Sequence, residues 1–444
     1  MLLPRFRPAC LRGCQTRSGL SAPCASAHDT TPPRPARSGL AALLTLVVAT
    51  WPGLARADLG YAEATRLAAD QAPATHMQRL AVESARAVQP SASTLPDPRL
   101  TVGVDNLPIS GPDRLSLTRD FMTMQRFGVM QEVPNRAKRE ARAAGAQAKV
   151  EREQANLAVA RLTVQREAAL AWLGVWFAEK RAAPLADLER EIQLLIDTLG
   201  ARIAGGMSMP SDLTMARQEA LALADRRDDA QRDIAKARAT LRRWVDARAD
   251  EPLAGEPPTI TVADETVRAG LHQHTEIAPY TAMQAMAQAE AGEADAEQRG
   301  DWSWEAVYSR RGPGYPDMVS FQFSVDLPWQ RGSRQQPQIA ARLKEVERLG
   351  AEREEMLRRH REEVEAQLAE LQALDAQHAR LADAGTRLAS ERVTLALASY
   401  EAGRSDLSAV LGARREAFET RLRLIDFEAQ RSALRVRLTT LIAE

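Results

Sequence analysis

Phe127-Gly-Val-Met-Gln-Glu-Val-Pro134 and Phe321-Gln-Phe-Ser-Val-Asp-Leu-Pro328 read as one element written twice. Apolar side chains recur at every second position, the period that turns one face of a strand toward an apolar environment and the other toward a polar one. A proline closes each run, and a long stretch of helix-forming composition opens behind it. Farther along, Ala216-Arg-Gln-Glu-Ala220 answers Ala413-Arg-Arg-Glu-Ala417. The offset is 194 residues at the strands and 197 at this second pair, so the copies differ by a small insertion in their helical arms. A duplication on this scale describes architecture before chemistry.

Each strand has a partner upstream. Leu100, Val102 and Val104 alternate with Thr101, Gly103 and Asp105, and after a turn-rich Pro108 to Asp113 the chain returns through Phe127, Val129 and Val133. In the second copy Trp302, Trp304 and Tyr308 precede Gly312-Pro-Gly-Tyr-Pro316 and face Phe321, Phe323, Val325 and Leu327. The hairpins are expected over about 99–134 and 302–328. Aromatic residues are only 5% of the chain, yet seven lie between Trp302 and Trp329. On alternating strands, such a cluster is what a lipid-facing band with interfacial girdles requires.

Between each strand-closing proline and the next glycine-marked turn lie roughly 70 residues of helical composition, interrupted only by Pro184 in the first copy. At ~1.5 Å per residue such a helix is about 100 Å long. The return is expected as two half-length helices, over 211–245 and 264–299. In the second copy the halves are 405–444 and the N-terminal pattern of 58–90, which carries Leu59, Ala62, Leu67, Ala68, Met77, Leu80 and Ala81. The helices alone would suit a solvated exported coiled coil; the hairpins and the aromatic cluster would not. Four strands cannot close a barrel, and open sheet edges are not tolerated in hydrocarbon, so several chains must share one barrel. Three copies give twelve strands, although strand number alone also permits a dimer or a tetramer.

The apolar run Leu40 to Trp51 follows Arg34 and Arg37 and ends at Ala55-Arg-Ala57, the three parts of a secretory signal peptide; it is too short for a spanning helix. Residues 1–57 are therefore expected to form a leader. Cys10, Cys14 and Cys24 all precede that cleavage point, so no disulfide or thiolate chemistry is expected in the mature chain. A formal net charge of zero gives no electrostatic footprint for nucleic acid. No nucleophile elbow, metalloprotease motif or P-loop occurs, so no enzyme activity and no cofactor is expected. His272 and His274 stand two apart without sharing a helix face, and no metal site is expected. Met122, Met124 and Met130 read as packing on the barrel surface.

At the turns between helices, Gly206-Met-Ser-Met-Pro-Ser-Asp212, followed by Ala216-Arg217, resembles the first periplasmic tip of the TolC family of outer-membrane efflux channels. Tyr400-Glu-Ala-Gly403, followed by Leu407, Val410, Leu411 and Ala413, resembles the second. The resemblance covers essentially all of 58–444. It implies a mainly α fold with a small β part: duplicated long helical hairpins forming a periplasmic α-barrel, and four transmembrane strands per chain closing a twelve-stranded β-barrel in a homotrimer. The first repeat spans 58–246, an equatorial linker 247–263 and the second repeat 264–444, with tips at about 203–212 and 400–407.

The resemblance further implies location in the bacterial outer membrane, an iris-like closure at the tips, a periplasmic adaptor and an inner-membrane pump. Gly205, Gly206, Asp212, Arg217, Gly403, Arg404, Asp406 and Arg414 are the implied gate and docking residues. Trp302, Trp304, Tyr308, Phe321, Phe323, Phe127 and Val129 are the expected lipid-facing or girdle residues. Leu95-Pro-Asp-Pro98 and Gln131-Glu-Val-Pro134 with Arg136, Lys138 and Arg139 most resemble channels of RND-type heavy-metal cation efflux systems. The second tip departs from the family pattern, because Ala409 and Gly412 stand where acidic residues ring the gate.

Overall fold

The computed structural model describes residues 58–270 and 274–441. The expected leader, its three cysteines and His272 lie outside them. The chain opens with a two-residue strand β1 (Leu59–Gly60) and helices α1 (Tyr61–Gln71) and α2 (Pro73–Val88). A hairpin of β2 (Arg99–Asp105) and β3 (Met124–Val133) leads into α3 (Arg136–Ala204), which returns as α4 (Pro210–Val245). After β4 (Leu253–Ala254), α5 (Asp264–Gly270) and α6 (Ala278–Ala296), the pattern repeats with β5 (Trp302–Arg310) and β6 (Met318–Val325). Helices α7 (Gln336–Arg380) and α8 (Thr386–Glu401) descend, and α9 (Leu407–Thr440) returns.

The two hairpins join into one antiparallel sheet in the order β2-β3-β5-β6, through pairs such as Phe127 with Tyr308 and Val129 with Ala306. β2 and β6 are its open edges. Among the described residues no helix is long and apolar enough to cross a membrane.

One expectation holds and two need correction. First, the outgoing helix is as long as expected: α3 runs through Pro184 for 69 residues, about 100 Å at 1.5 Å per residue. A proline inside a helix forfeits a backbone hydrogen bond at a cost of about 3 kcal/mol. Leu185, Leu188, Ile192 and Leu199, buried just beyond it with Leu223, Leu407 and Phe418, supply packing that outweighs the defect. Second, the N-terminal pattern is two helices, because Ala72 is extended before Pro73, as the proline ring demands. The small residues Ala64, Ala68, Thr75, Val82 and Ala85 are buried there, while Met77 and Leu80 point outward at 65% and 50% exposure. Third, the segment expected as one helix over 264–299 is α5 and α6 with a 3-10 turn, Thr275–Ile277, before α6.

The core is strongest at mid-height. Leu59, Trp172, Val175, Phe177, Leu241, Val245, Ala249, Ile425 and Val436 bury one another where the linker crosses the helices. Trp172 is fully buried, donates from Nε1 to the Leu59 carbonyl at 2.9 Å and meets Tyr61 edge-on at 5.6 Å. β1 pairs with β4 beside it, fastening the start of the described chain to the linker. Above this layer α3 and α6 approach through small residues, Gly145 against Ala289 and Gly292 against Ala141. Below it, Lys180 with Glu428 and Arg181 with Asp426 tie α3 to α9 at 2.5 and 2.7 Å.

Candidate functional site

Side chains of directly paired antiparallel residues point to the same side, so the register sorts the sheet into two faces. One face carries Leu100, Val102, Val104, Phe127, Val129, Trp302, Trp304, Tyr308, Phe321 and Phe323. All seven expected lipid-facing residues share it. Phe321 and Phe323 are 73% and 72% exposed, and only Trp304 of the seven is half-buried. A patch of this kind in water would be an aggregation hazard; in lipid it is a solvated surface.

The opposite face carries Arg99, Thr101, Asp105, Arg126, Glu132, Ser303, Glu305, Ser309, Ser320, Gln322 and Ser324. At its centre Arg126 meets Glu305 at 2.9 Å and Asp105 at 3.8 Å. Gly128 lies on this face, where a Cβ would come within 2.5 Å of Thr101 Oγ1 and 3.0 Å of Glu305 Oε1. Side chains crowd on this side, so only glycine fits between Thr101 and Glu305.

Where sheet meets helices, Asn135 caps α3 by accepting from the Lys138 backbone N–H at 2.9 Å, and its own side chain donates to the Ala296 carbonyl at 3.0 Å. Asp301 accepts from the Asn135 N–H at 2.8 Å and from the Lys138 ammonium at 3.0 Å. Burial by itself would raise the Asp301 carboxyl, but these donors hold it below the usual carboxylate range. At Gly300, with φ +65°, an added Cβ would strike the Asp326 carbonyl, so only glycine fits. Lys138, singled out in the sequence for its charge, has a structural anchoring role.

At the far end both tips turn through a glycine in the left-handed region, Gly206 at φ +71° and Gly403 at φ +66°. Gly205 ends α3, its N–H donating to the Ala201 carbonyl at 3.0 Å. Asp212 is buried and accepts from the Met209 N–H at 3.0 Å, so it caps α4. Asp406 caps α9 instead, accepting from Ser408 Oγ at 2.8 Å and the Ala409 N–H at 3.3 Å, which holds its carboxyl below the ordinary range. Arg414 reaches across to Glu191 at 2.5 Å. Arg217 and Arg404 are exposed and form no ion pair among the described residues.

The structure also ties the tips together through residues the sequence reading did not select. Arg202 Nε donates to Ser208 Oγ at 3.2 Å and stacks 5.0 Å from the Tyr400 ring, whose hydroxyl lies 3.1 Å from Ser208 Oγ. Met207 and Met209 project outward at 69% and 70% exposure. Tyr400 stood within a quoted motif, but nothing in sequence separations of about two hundred residues announces Arg202 as its partner.

His274 likewise has a partner unannounced in the sequence. Its ring lies against His360, 86 residues later, with Nδ1 at 2.8 Å from the His360 Nε2.

No protein-family profile matches the chain, and no curated protein matches it. Solved structures do. A membrane protein from Pseudomonas aeruginosa superposes with a TM-score of 0.75 at 18% identity, covering 86% of this chain and 92% of that one. The outer membrane protein VceC from Vibrio cholerae gives 0.72 at 18% identity, with 86% and 96% covered. The transmembrane channel CusC gives 0.70 at 17% identity, with 86% and 92% covered. At these identities the likeness is one of fold, and it extends over nearly the whole length of each.

Proposed function

We propose that this chain, folded as those outer-membrane channels are, is the outer-membrane duct of a tripartite efflux apparatus. The observation that carries the reading is the four-stranded sheet: apolar on its outer face, charged on its inner face, open at both edges and continuous with helices about 100 Å long. Edge strands in hydrocarbon must find partners. Pairing β6 of one copy with β2 of the next satisfies them, and three copies close twelve strands over an α-helical tunnel through the periplasm. Outer-membrane lipid then covers Phe321, Phe323, Trp302 and their neighbours.

Conduction is passive. Cargo enters from an inner-membrane RND-type pump through a periplasmic adaptor, and the energy is spent at the pump. The tips are the docking and gating end, with Met207 and Met209 as apolar anchors and Arg217 and Arg404 as unpaired charges for the adaptor or a neighbouring copy. Glycines 205, 206 and 403 let the helices reverse, while Asp212, Asp406 and Arg414 hold the closed tip. The cargo we assign is heavy-metal cations, supported by the motif resemblance at residues 95–98 and 131–139.

The test is planar-bilayer conductance of the detergent-extracted, size-defined oligomer, together with cation tolerance of cells that lack it. Discrete channels from a trimer and lost metal tolerance support the reading. A soluble, non-conducting protein overturns the duct; a conducting trimer whose loss affects only organic compounds or secreted protein overturns the cargo.

A further inference from the structure

His274, Glu276 and His360 converge where the 3-10 turn before α6 meets the middle of α7. Both imidazoles are buried, each 4% exposed, and the side chain of Glu276 keeps a path to solvent at 26% exposure. One ligand atom from each lies within 4.8 Å of the others. His360 Nε2 is 2.8 Å from His274 Nδ1 and 3.3 Å from Glu276 Oε2. Two buried imidazoles with a carboxylate alongside are more than core packing requires: the pair faces ring nitrogen to ring nitrogen, so a proton or a cation must lie between them.

The tautomers suit a cation. His274 Nδ1 accepts from the Glu276 N–H at 3.3 Å, which puts the ring proton on Nε2. That nitrogen is buried without a partner in hydrogen-bonding geometry. A ligating histidine likewise carries its proton on the nitrogen away from the metal, and a bound ion would take the Nδ1 lone pair in place of the long 3.3 Å contact with the Glu276 N–H. Arg166 stands 3.8 Å from Glu276 Oε1 and steadies one carboxylate oxygen while Oε2 points at His360. Zinc–ligand bonds of about 2.0 Å in a tetrahedron set ligand atoms about 3.3 Å apart, so the His274–His360 gap needs to widen by only about half an ångström.

We propose that His274 Nδ1, His360 Nε2 and a Glu276 carboxylate oxygen form a site for one divalent transition-metal ion, with the donor set favouring Zn2+ or Cu2+ over Mg2+ or Ca2+. The ion staples the turn before α6 to α7 beside the end of α9. This assignment is independent of the cargo reading and of conductance.

The experiment uses the full chain extracted in detergent and stripped with chelator. Zn2+ is titrated by calorimetry, and Co2+ is followed by its visible absorption. One Zn2+ per chain, tetrahedral Co2+ bands and a melting temperature raised by a few degrees on saturation are expected. His360→Gln and Glu276→Gln should each weaken binding, His360→Gln by more than about 100-fold, beyond the 10–100-fold that loss of an outer-shell partner costs. Glu276→Gln serves if the histidine variant fails to assemble. Absent stoichiometric binding, or equal binding and Co2+ spectra in wild type and variants, overturns the site.

Discussion

The two copies of the repeat build the same shape by different local means. The first outgoing helix starts at a side-chain cap from Asn135; the second has no such cap and enters through a π-turn, Arg331–Gln335. At an offset of 194 to 197, Pro184 falls opposite residues 378–381, where the second copy has another π-turn, Leu381–Gly385. A π-turn closes one residue later than an α-turn, so two of them absorb two of the three residues by which the arms differ. At the tips Met209 answers Asp406, and Asp212 answers Ala409, so the acidic cap has moved from inside the first turn to its boundary. Duplication has held helix length and the place of reversal, which set the shape of the repeat. It has left free any chemistry that satisfies the same helix end or relieves the same bend.

Mid-height packing is the most one-sided feature. Trp172 of the first copy fills the equatorial core, whereas the corresponding level of α7 contributes Val364, Leu368 and Leu371 to a separate cluster with Leu434 and Leu438. Trp172→Ala should cost about 3–5 kcal/mol and release the oligomer at lower temperature. Leu368→Ala should cost about 2–5 kcal/mol, without disturbing the β1–β4 pairing. Equal loss of that pairing in both, read by amide exchange at Leu59 and Leu253, would erase the distinction.

Pro184 and the π-turn at 381–385 are matched points of weakness in the helices. Pro184→Ala restores a backbone hydrogen bond and should stabilise by up to about 3 kcal/mol, while lowering the frequency of channel opening if the bend takes part in it. Unchanged stability would mean that the surrounding packing has already absorbed the defect.

Gly206→Ala and Gly403→Ala each force a Cβ into the left-handed region, at about 1–2 kcal/mol apiece. Neither glycine has an atom within 4 Å of the added Cβ, so the two effects should match. Unequal melting shifts would reveal contacts from neighbouring copies at one tip only.

The smallest effect separates the caps. The folded Asp406 carboxyl is depressed below its unfolded value, chiefly by the Ser408 hydroxyl and then by the Ala409 N–H. Its contribution is therefore present above about pH 4 and is lost as pH falls below that. Asp406→Asn should flatten this acid limb in a melt followed from pH 6 to pH 3, and Asp212→Ala should cost about 1 kcal/mol at neutral pH.

The apolar face of the sheet was legible because a strand's period of two is fixed by its backbone: the seven residues expected from alternation share one face, whereas Met124 and Met130, expected on the barrel surface, lie on the other. The N-terminal helices were less so: Met77 and Leu80 fit the apolar pattern but point outward, because the close approach of neighbouring helices selects alanines instead. At the tips the glycines were readable from backbone need, whereas Arg202, Ser208 and Tyr400 were not, since their contact joins loops far apart in sequence.

Sequence alone determined the duplication, the length of the outgoing helices, the alternation of the strands and the positions of reversal, all of which follow from local backbone periods and turn chemistry. Only the tertiary structure decided that α3 carries Pro184 without a break, that the two hairpins share one sheet with its aromatic strand residues on a single face, and that His274 meets His360. These depend on contacts between distant segments, whose packing energy can override local propensity and whose partners no local pattern specifies.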